Sequence, residues 1–234
     1  GTHTFQVRAT DLSEYDNVSD TVSYTWTVAD NTGPDVTIET KPAAEVPTGT
    51  TLRALIDLAG GVAAGRTFKA VLVGGPTGGL LPVELLDTPY SFDALRATGA
   101  HVGSGGVVIV DDRACIVDLA RLLVRYGADE ACGKTIPCRI GLRRLAEIGQ
   151  RYADGTARPT DPKLLADLAD DCAASALCDH ERLAPSPLRT AMRYFGPEID
   201  DHILRGVCPA GVCSPIRVAG APTGAEATTA RWPT

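Results

Sequence analysis

The sequence predicts an α+β protein: an N-terminal β-hairpin, a small mixed unit of strands and helices, and then a bundle of four or five helices. Three observations lead there. Apolar residues alternate with period two in the first thirty residues, strand and helix patterns interleave from 46 to 112, and helical spacing takes over from 113.

In the first element Phe5, Val7 and Ala9 share one face and Val22, Tyr24, Trp26 and Val28 another, with a polar turn from Asp11 to Asp20 between them. Two strands bury too little to stand as a sandwich, so residues 1–30 read as a hairpin fragment. Residues 31–45 mix turn formers with a short strand candidate, Val36 to Glu39, and read as a linker. Next, Thr51 is placed to cap a helix from Leu52 to Leu58, which Gly60-Gly61 ends. A strand from Lys69 to Val73, a turn from Gly74 to Gly79, a helix from Phe92 to Thr98 and a strand from Gly106 to Val110 complete the unit 46–112. Residues 113–207 are then helical: Ile116, Leu119, Ala120, Leu123 and Val124 keep helical spacing, as do Leu142, Leu145 and Ile148, and then Leu164, Leu165 and Leu168. Gly155 and Pro159 break the run, Pro185 and Pro187 open a fourth helix, and Pro197 starts a fifth. Residues 208–234 hold a Cys-containing turn and a small, polar, Pro-rich tail that is expected to be disordered.

A net charge of −7 speaks against a nucleic-acid groove or an anionic membrane surface, because both repel excess carboxylates. No apolar run reaches the roughly 18 residues needed to span a bilayer, and the start lacks a signal pattern. The expectation is a cytoplasmic chain, not membrane-spanning, whose partners are proteins or small molecules. It begins with Gly, as a fragment or processed product would.

All seven cysteines lie in the C-terminal half, and that odd, clustered set favours metal binding over a disulfide scaffold. Cys132 and Cys138 are spaced C-x5-C between two predicted helices, and Cys178 follows at a distance. On spacing alone they are either ligands of one centre or small buried apolar residues. Cys208, Cys213 and His202 form a second group suited to zinc, with Cys172 as a candidate fourth ligand. Ala128 to Thr135 fits a loose phosphate-loop pattern, but Asp129 and Glu130 would repel phosphate and a helix precedes it where a strand is required.

Four stretches carry a resemblance: KAVLVGGPTGG (Lys69 to Gly79), LLDTPYSFDALRATGAHVGSGGVVIVDD (Leu85 to Asp112), ACGKTIPCRIGLRRLAEI (Ala131 to Ile148) and RYFGPEIDDHILRGVCPAGVC (Arg193 to Cys213). In this order they resemble the NADH-binding flavoprotein subunit, the F type, of NADH-quinone oxidoreductase (complex I), and related hydrogenase and formate dehydrogenase subunits. The resemblance covers Val46 to Cys213. It implies a ubiquitin-like β-grasp domain of the soluble-ligand-binding (SLBB) type at 46–112. It also implies a [4Fe–4S] cluster in the bundle, held by a CxxCxxC loop and a later cysteine. Carried over, the ligands are Cys132, Cys138 and Cys178.

Thr135 stands where the family has its middle cysteine, and a β-branched neutral hydroxyl is a poor ligand for iron. Asp179-His180-Glu181 also departs from the Gly-rich turn that follows the last cysteine in the family. Three outcomes are open: a three-cysteine cluster with one open iron, a cluster completed by another side chain such as His180, or no cluster. Lys134, Arg139, Arg143 and Arg144 either offset the charge of a thiolate cluster or form a solvated helix face. In longer relatives Cys208 and Cys213 correspond to the start of a linker to a ferredoxin-like domain, which is the other reading of that pair, with His202 exposed.

The flavin- and NADH-binding domain precedes the β-grasp domain in the family. Here that place holds the hairpin, whose HTFQVRATD and SYTWTV resemble the last strands of a bacterial Ig-like domain. The implied function is an electron-transfer module that is not catalytic alone, working with other subunits of an NADH-oxidising complex and peripheral to a membrane complex. The competing reading is a degenerate interaction or ligand-binding module without a cluster.

Overall fold

The computed structural model describes residues 2–7, 22–27 and 46–215. The predicted linker 31–45 and the tail from 216 onward lie outside the described residues. The chain divides into two units, Gly1–Ala44 and Glu45–Thr234. In the first, β1 (Thr2–Val7) pairs antiparallel with β2 (Val22–Thr27), with Phe5 opposite Tyr24 and His3 opposite Trp26. The period-two alternation of the sequence is the cause of this pairing.

The second unit begins with α1 (Leu52–Leu58), where the Thr51 hydroxyl accepts the Ala54 N–H as the sequence predicts. A three-stranded antiparallel sheet follows in the order β4-β3-β5, built from β3 (Phe68–Val73), β4 (Gly79–Leu81) and β5 (Val107–Asp111). Between β4 and β5 lies α2 (Phe92–Thr98), capped by Ser91 and closed by Gly99 at φ 84°. Strand β4 was not expected; it starts at Gly79, the last residue of the expected turn. Its Gly79 is a packing residue: a Cβ there would stand 2.7 Å from the Ala100 Cβ, so only glycine lets β4 lie against the end of α2.

The sheet is buried on both faces, and the alternation along β3 shows how. Val71 and Val73 join Leu81, Leu52, Ile56 and Leu95 in one core under α1 and α2. Ala70 and Leu72 point the other way, with Leu80 and Val110, into the core of the helical part. That part contains α3 (Ile116–Asp129), α4 (Leu142–Asp154), α5 (Asp161–Ser175), α6 (Asp179–Leu183), α7 (Ser186–Tyr194) and α8 (Gly196–Asp200). The short α6 adds one helix to the four or five expected. Two π-helical turns also appear, Pro137–Gly141 running into α4 and Asp201–Arg205 following α8. Such turns keep the helical apolar pattern while widening one turn, so periodicity does not reveal them. Both lie beside cysteine or histidine residues singled out in the sequence.

Candidate metal centres

The first centre joins the loop after α3 to the start of α6. Gly133 turns this loop at φ 68°, and the Arg139 guanidinium donates to the Gly133 carbonyl at 3.0 Å. The Thr135 hydroxyl accepts the Cys138 N–H at 3.0 Å, which satisfies an amide of the π-helical turn. The same hydroxyl donates to the Glu181 carboxylate. Glu181 is 1% exposed and also accepts the Leu177 N–H at 3.1 Å. Its carboxylate thus ties the 132–138 loop to the segment carrying Cys178, the residue that caps α6.

Cys138 is buried, while Cys132 and Cys178 are exposed. Burial pushes the Cys138 thiol up; the Gly133 N–H opposes this, and the nearby Cys132 and Glu181 add to the rise. A bound cation reverses that balance, because thiolates are the form that ligates metal. Cys132 and Cys138 are thus near one another in the loop, while Cys178 is linked to them only through the Glu181 bridge between the two segments. The Thr135 hydroxyl is engaged as a cap and a donor. His180, the other side chain suited to replace a ligand, places Nε2 2.7 Å from the Gly127 carbonyl, where this nitrogen acts as a donor.

The second centre is assembled already. Cys115, His202, Cys208 and Cys213 hold their ligand atoms within 4.8 Å of one another. Cys115 Sγ is 3.4 Å from His202 Nε2 and 3.6 Å from Cys213 Sγ, and His202 Nε2 is 2.9 Å from Cys213 Sγ. Zn–S bonds of about 2.3 Å in a tetrahedron put sulfurs about 3.8 Å apart, close to the Cys115–Cys213 spacing, while the shorter His202–Cys213 contact is a hydrogen bond that would lengthen around an ion. His202 is fully buried, and its Nδ1 donates to the Glu198 carbonyl at 2.8 Å. That bond fixes the tautomer and turns the Nε2 lone pair toward the sulfurs.

The thiols around it are unequal. Burial alone would raise Cys208, but the Cys213 and Val212 N–H groups and the Cys213 thiol hold it down at about 6. Burial and the Cys208 charge push Cys213 up to about 11, and burial pushes Cys115 up as well. A lowered thiol beside two raised ones is a usable entry point for a metal.

Two expectations change here. His202 is buried rather than an exposed helix residue, and the fourth member of its group is Cys115, not Cys172. Cys172 lies on α5 with its thiol 3.7 Å from the Pro137 carbonyl, and burial pushes it up to about 12. The local signal for Cys115 is its position directly before α3, where its sulfur accepts the Asp118 N–H at 3.4 Å as a cap. No sequence spacing connects that position to residues 202–213.

The phosphate-loop pattern at 128–135 follows helix α3 rather than a strand, and Asp129 and Glu130 are exposed. No anion cradle results. Arg139, Arg143 and Arg144 are exposed too, and Arg144 pairs with Glu147 at 2.6 Å, the geometry of a solvated helix face.

Similarity to known proteins adds to this geometry. The family described as the NADH-ubiquinone oxidoreductase-F iron-sulfur binding region matches residues 118–202, a stretch that contains Cys132, Cys138 and Cys178. The helical part is an F-type iron–sulfur binding region. The HndC subunit of an NADP-reducing hydrogenase of Solidesulfovibrio fructosivorans is 39% identical over 171 residues, 73% of this chain and 35% of that protein. An F-type subunit of NADH-quinone oxidoreductase of Rhizobium meliloti is 36% identical over 166 residues, 70% of this chain and 39% of that protein. In structure, a chain of an NAD+-reducing [NiFe]-hydrogenase in its H2-reduced state superposes with a TM-score of 0.59 at 29% identity, covering 66% of this chain and 26% of that one. The chain therefore spans well under half the length of these relatives. Among its described residues no helix is long and apolar enough to cross a membrane.

Proposed function

We propose that the F-type region holds a [4Fe–4S] cluster on Cys132, Cys138 and Cys178 and acts as an electron relay within an NADH-oxidising complex, its partners being other subunits of that complex. The observation that carries this reading is the match of residues 118–202 to the iron–sulfur binding region, with all three cysteines inside it. Residues 46–112 are read as a β-grasp domain of the soluble-ligand-binding type, a reading supported by the three-stranded sheet with α1 and α2 packed on one face. Cys115, His202, Cys208 and Cys213 are read as a structural zinc site, supported by their spacing and by the Glu198 carbonyl on His202.

A bound cluster supplies one-electron transfer. The chain contributes the rest. Buried Cys138 anchors one side of the site in the bundle, and exposed Cys132 and Cys178 set the other side at the surface, where an electron partner approaches. Arg139 braces the loop through the Gly133 carbonyl, and all three thiols would bind a cluster as thiolates. Hydride chemistry belongs to a flavin held elsewhere in the complex. The cofactor-free reading is disfavoured, because it leaves Glu181 buried beside Cys138 and Cys172 with no cation to balance it.

Anaerobic reconstitution of the full chain with iron and sulfide tests the relay. The expected product is brown, with sulfur-to-iron charge-transfer absorbance and, on reduction, an electron paramagnetic resonance signal. A colourless, iron-free product overturns it.

A further inference from the structure

Two departures from the family pattern meet in one hydrogen bond. Thr135 occupies the place of a ligating cysteine, Glu181 lies in the segment that replaces a Gly-rich turn, and the Thr135 hydroxyl donates to the Glu181 carboxylate. Glu181 therefore reaches the position from which a thiolate is missing. Its surroundings are those of a ligand without its metal. The residue is 1% exposed, and its carboxylate is met by neutral donors, the Thr135 hydroxyl and the Leu177 N–H at 3.1 Å, while the Ser175 hydroxyl 3.5 Å away donates instead to the Asp171 carbonyl. Among the described residues no Lys, Arg or His forms an ion pair with it. Burying a carboxylate without a countercharge is costly. Direct ligation of an iron ion by the carboxylate would remove that cost.

We infer that Glu181 is the fourth protein ligand of the cluster, an oxygen donor that completes a three-cysteine, one-carboxylate set in place of the missing thiolate. This rests on the cluster reading above and makes it specific. On loading, the carboxylate gives up the Thr135 hydrogen bond and forms an Fe–O bond; no electron moves in that exchange. The other candidates are engaged differently. His180 Nε2 is tied to the Gly127 carbonyl, and the Cys172 thiol faces Pro137 and Gly141 on the core side of the π-helical turn.

The test compares the full chain with Glu181→Gln, Glu181→Asp, Thr135→Ala, Cys172→Ser, Thr135→Cys and the double change Thr135→Cys/Glu181→Gln. Each is loaded anaerobically and followed by iron content, Mössbauer spectroscopy and electron paramagnetic resonance after mild ferricyanide oxidation. The parent, Thr135→Ala and Cys172→Ser are expected to keep all four irons and to show one iron with oxygen ligation. Glu181→Gln is expected to lose its fourth iron to a chelator about 10–100-fold faster and to show the three-iron signal on oxidation. Glu181→Asp, one methylene short, falls between them, so the outcome does not depend on one variant's folding. The double change regains four irons with sulfur ligation throughout.

If Glu181→Gln keeps its fourth iron like the parent, or if Cys172→Ser loses it, Glu181 is not the ligand and the cluster reading stands. If the parent stays iron-free while Thr135→Cys loads, a cluster on this chain as it is and the carboxylate ligand fall together. If neither loads, the region as a whole is not an iron–sulfur site.

Discussion

Thr135 and Asp161 show how far a single residue's role departs from its type. Thr135 reads in sequence as a damaged ligand, yet its hydroxyl is a cap for the Cys138 amide and a donor to Glu181. That double role depends on a carboxylate 46 positions away, which no local pattern discloses. Asp161 opens α5. In the fold it is 1% exposed and accepts the Arg151 guanidinium at 2.6 and 2.8 Å, as well as the Arg158 N–H at 2.8 Å. Desolvation acts to raise its carboxyl, but Arg151 and the Arg158 N–H outweigh it and hold the group below its ordinary value. Asp161→Asn is expected to cost about 2–3 kcal/mol, short of the full cost of a broken buried pair because Arg151 keeps some contact with water. A depressed folded-state pKa contributes stability above the unfolded value of about 3.9 and loses it as pH falls through the folded value. Denaturant titrations should therefore show a constant gap between parent and variant at neutral pH, closing below about pH 4. A gap that persists undiminished into acid would contradict this account.

At the scale of elements, legibility followed local signals. The helices Leu52–Leu58 and Phe92–Thr98 were readable to the residue, because Thr51 and Ser91 cap them and glycines follow. Strand β4 was not, because three residues starting at a glycine look like the end of a turn. Its place is fixed by a tertiary bond: the Leu80 N–H donates to the Thr190 hydroxyl of α7 at 2.9 Å, and that hydroxyl itself donates to the Ser186 carbonyl at 2.8 Å. Helix α7 thus covers the outer edge of the sheet, where an unpaired strand would invite association. Thr190→Val keeps the shape and removes the oxygen, leaving the buried Leu80 amide without a partner at a cost of about 1–3 kcal/mol. In a chain of this length the melting temperature should fall by about 2–12 °C. Hydrogen exchange at Leu80 should rise more than at Val71, which is held inside the sheet; equal rises at both would mean global destabilisation instead.

Across the second unit as a whole, the group of three cysteines and one histidine is the feature that joins distant parts of the chain. Cys115 precedes α3, His202 lies in the turn after α8, and Cys208 and Cys213 belong to the last described segment. Glu198 works at the same joint: its carboxylate takes Lys69 Nζ from β3 and the Ile116 N–H from α3, while its carbonyl takes His202. Three of the four ligands were visible as a group in the sequence because they lie within twelve residues, whereas Cys115 is reached only through the fold. A zinc ion held by these four side chains would favour the folded chain over the unfolded one, so metal at about 1,000 times its dissociation constant would add up to about 4 kcal/mol of stability. The folded protein should contain zinc in a one-to-one ratio, retained in Cys132→Ser and lost in Cys115→Ser and Cys213→Ser. Chelation or either of the latter changes should lower the melting temperature and raise hydrogen exchange in residues 201–215, while the iron-dependent absorbance of the first centre persists. The two centres are then separable: zinc fastens the C-terminal segment to the start of α3 and the edge of the sheet, and the cluster answers to the loop and Glu181. Loss of iron on mutating Cys115 in a chain that still melts cooperatively would instead make them a single centre.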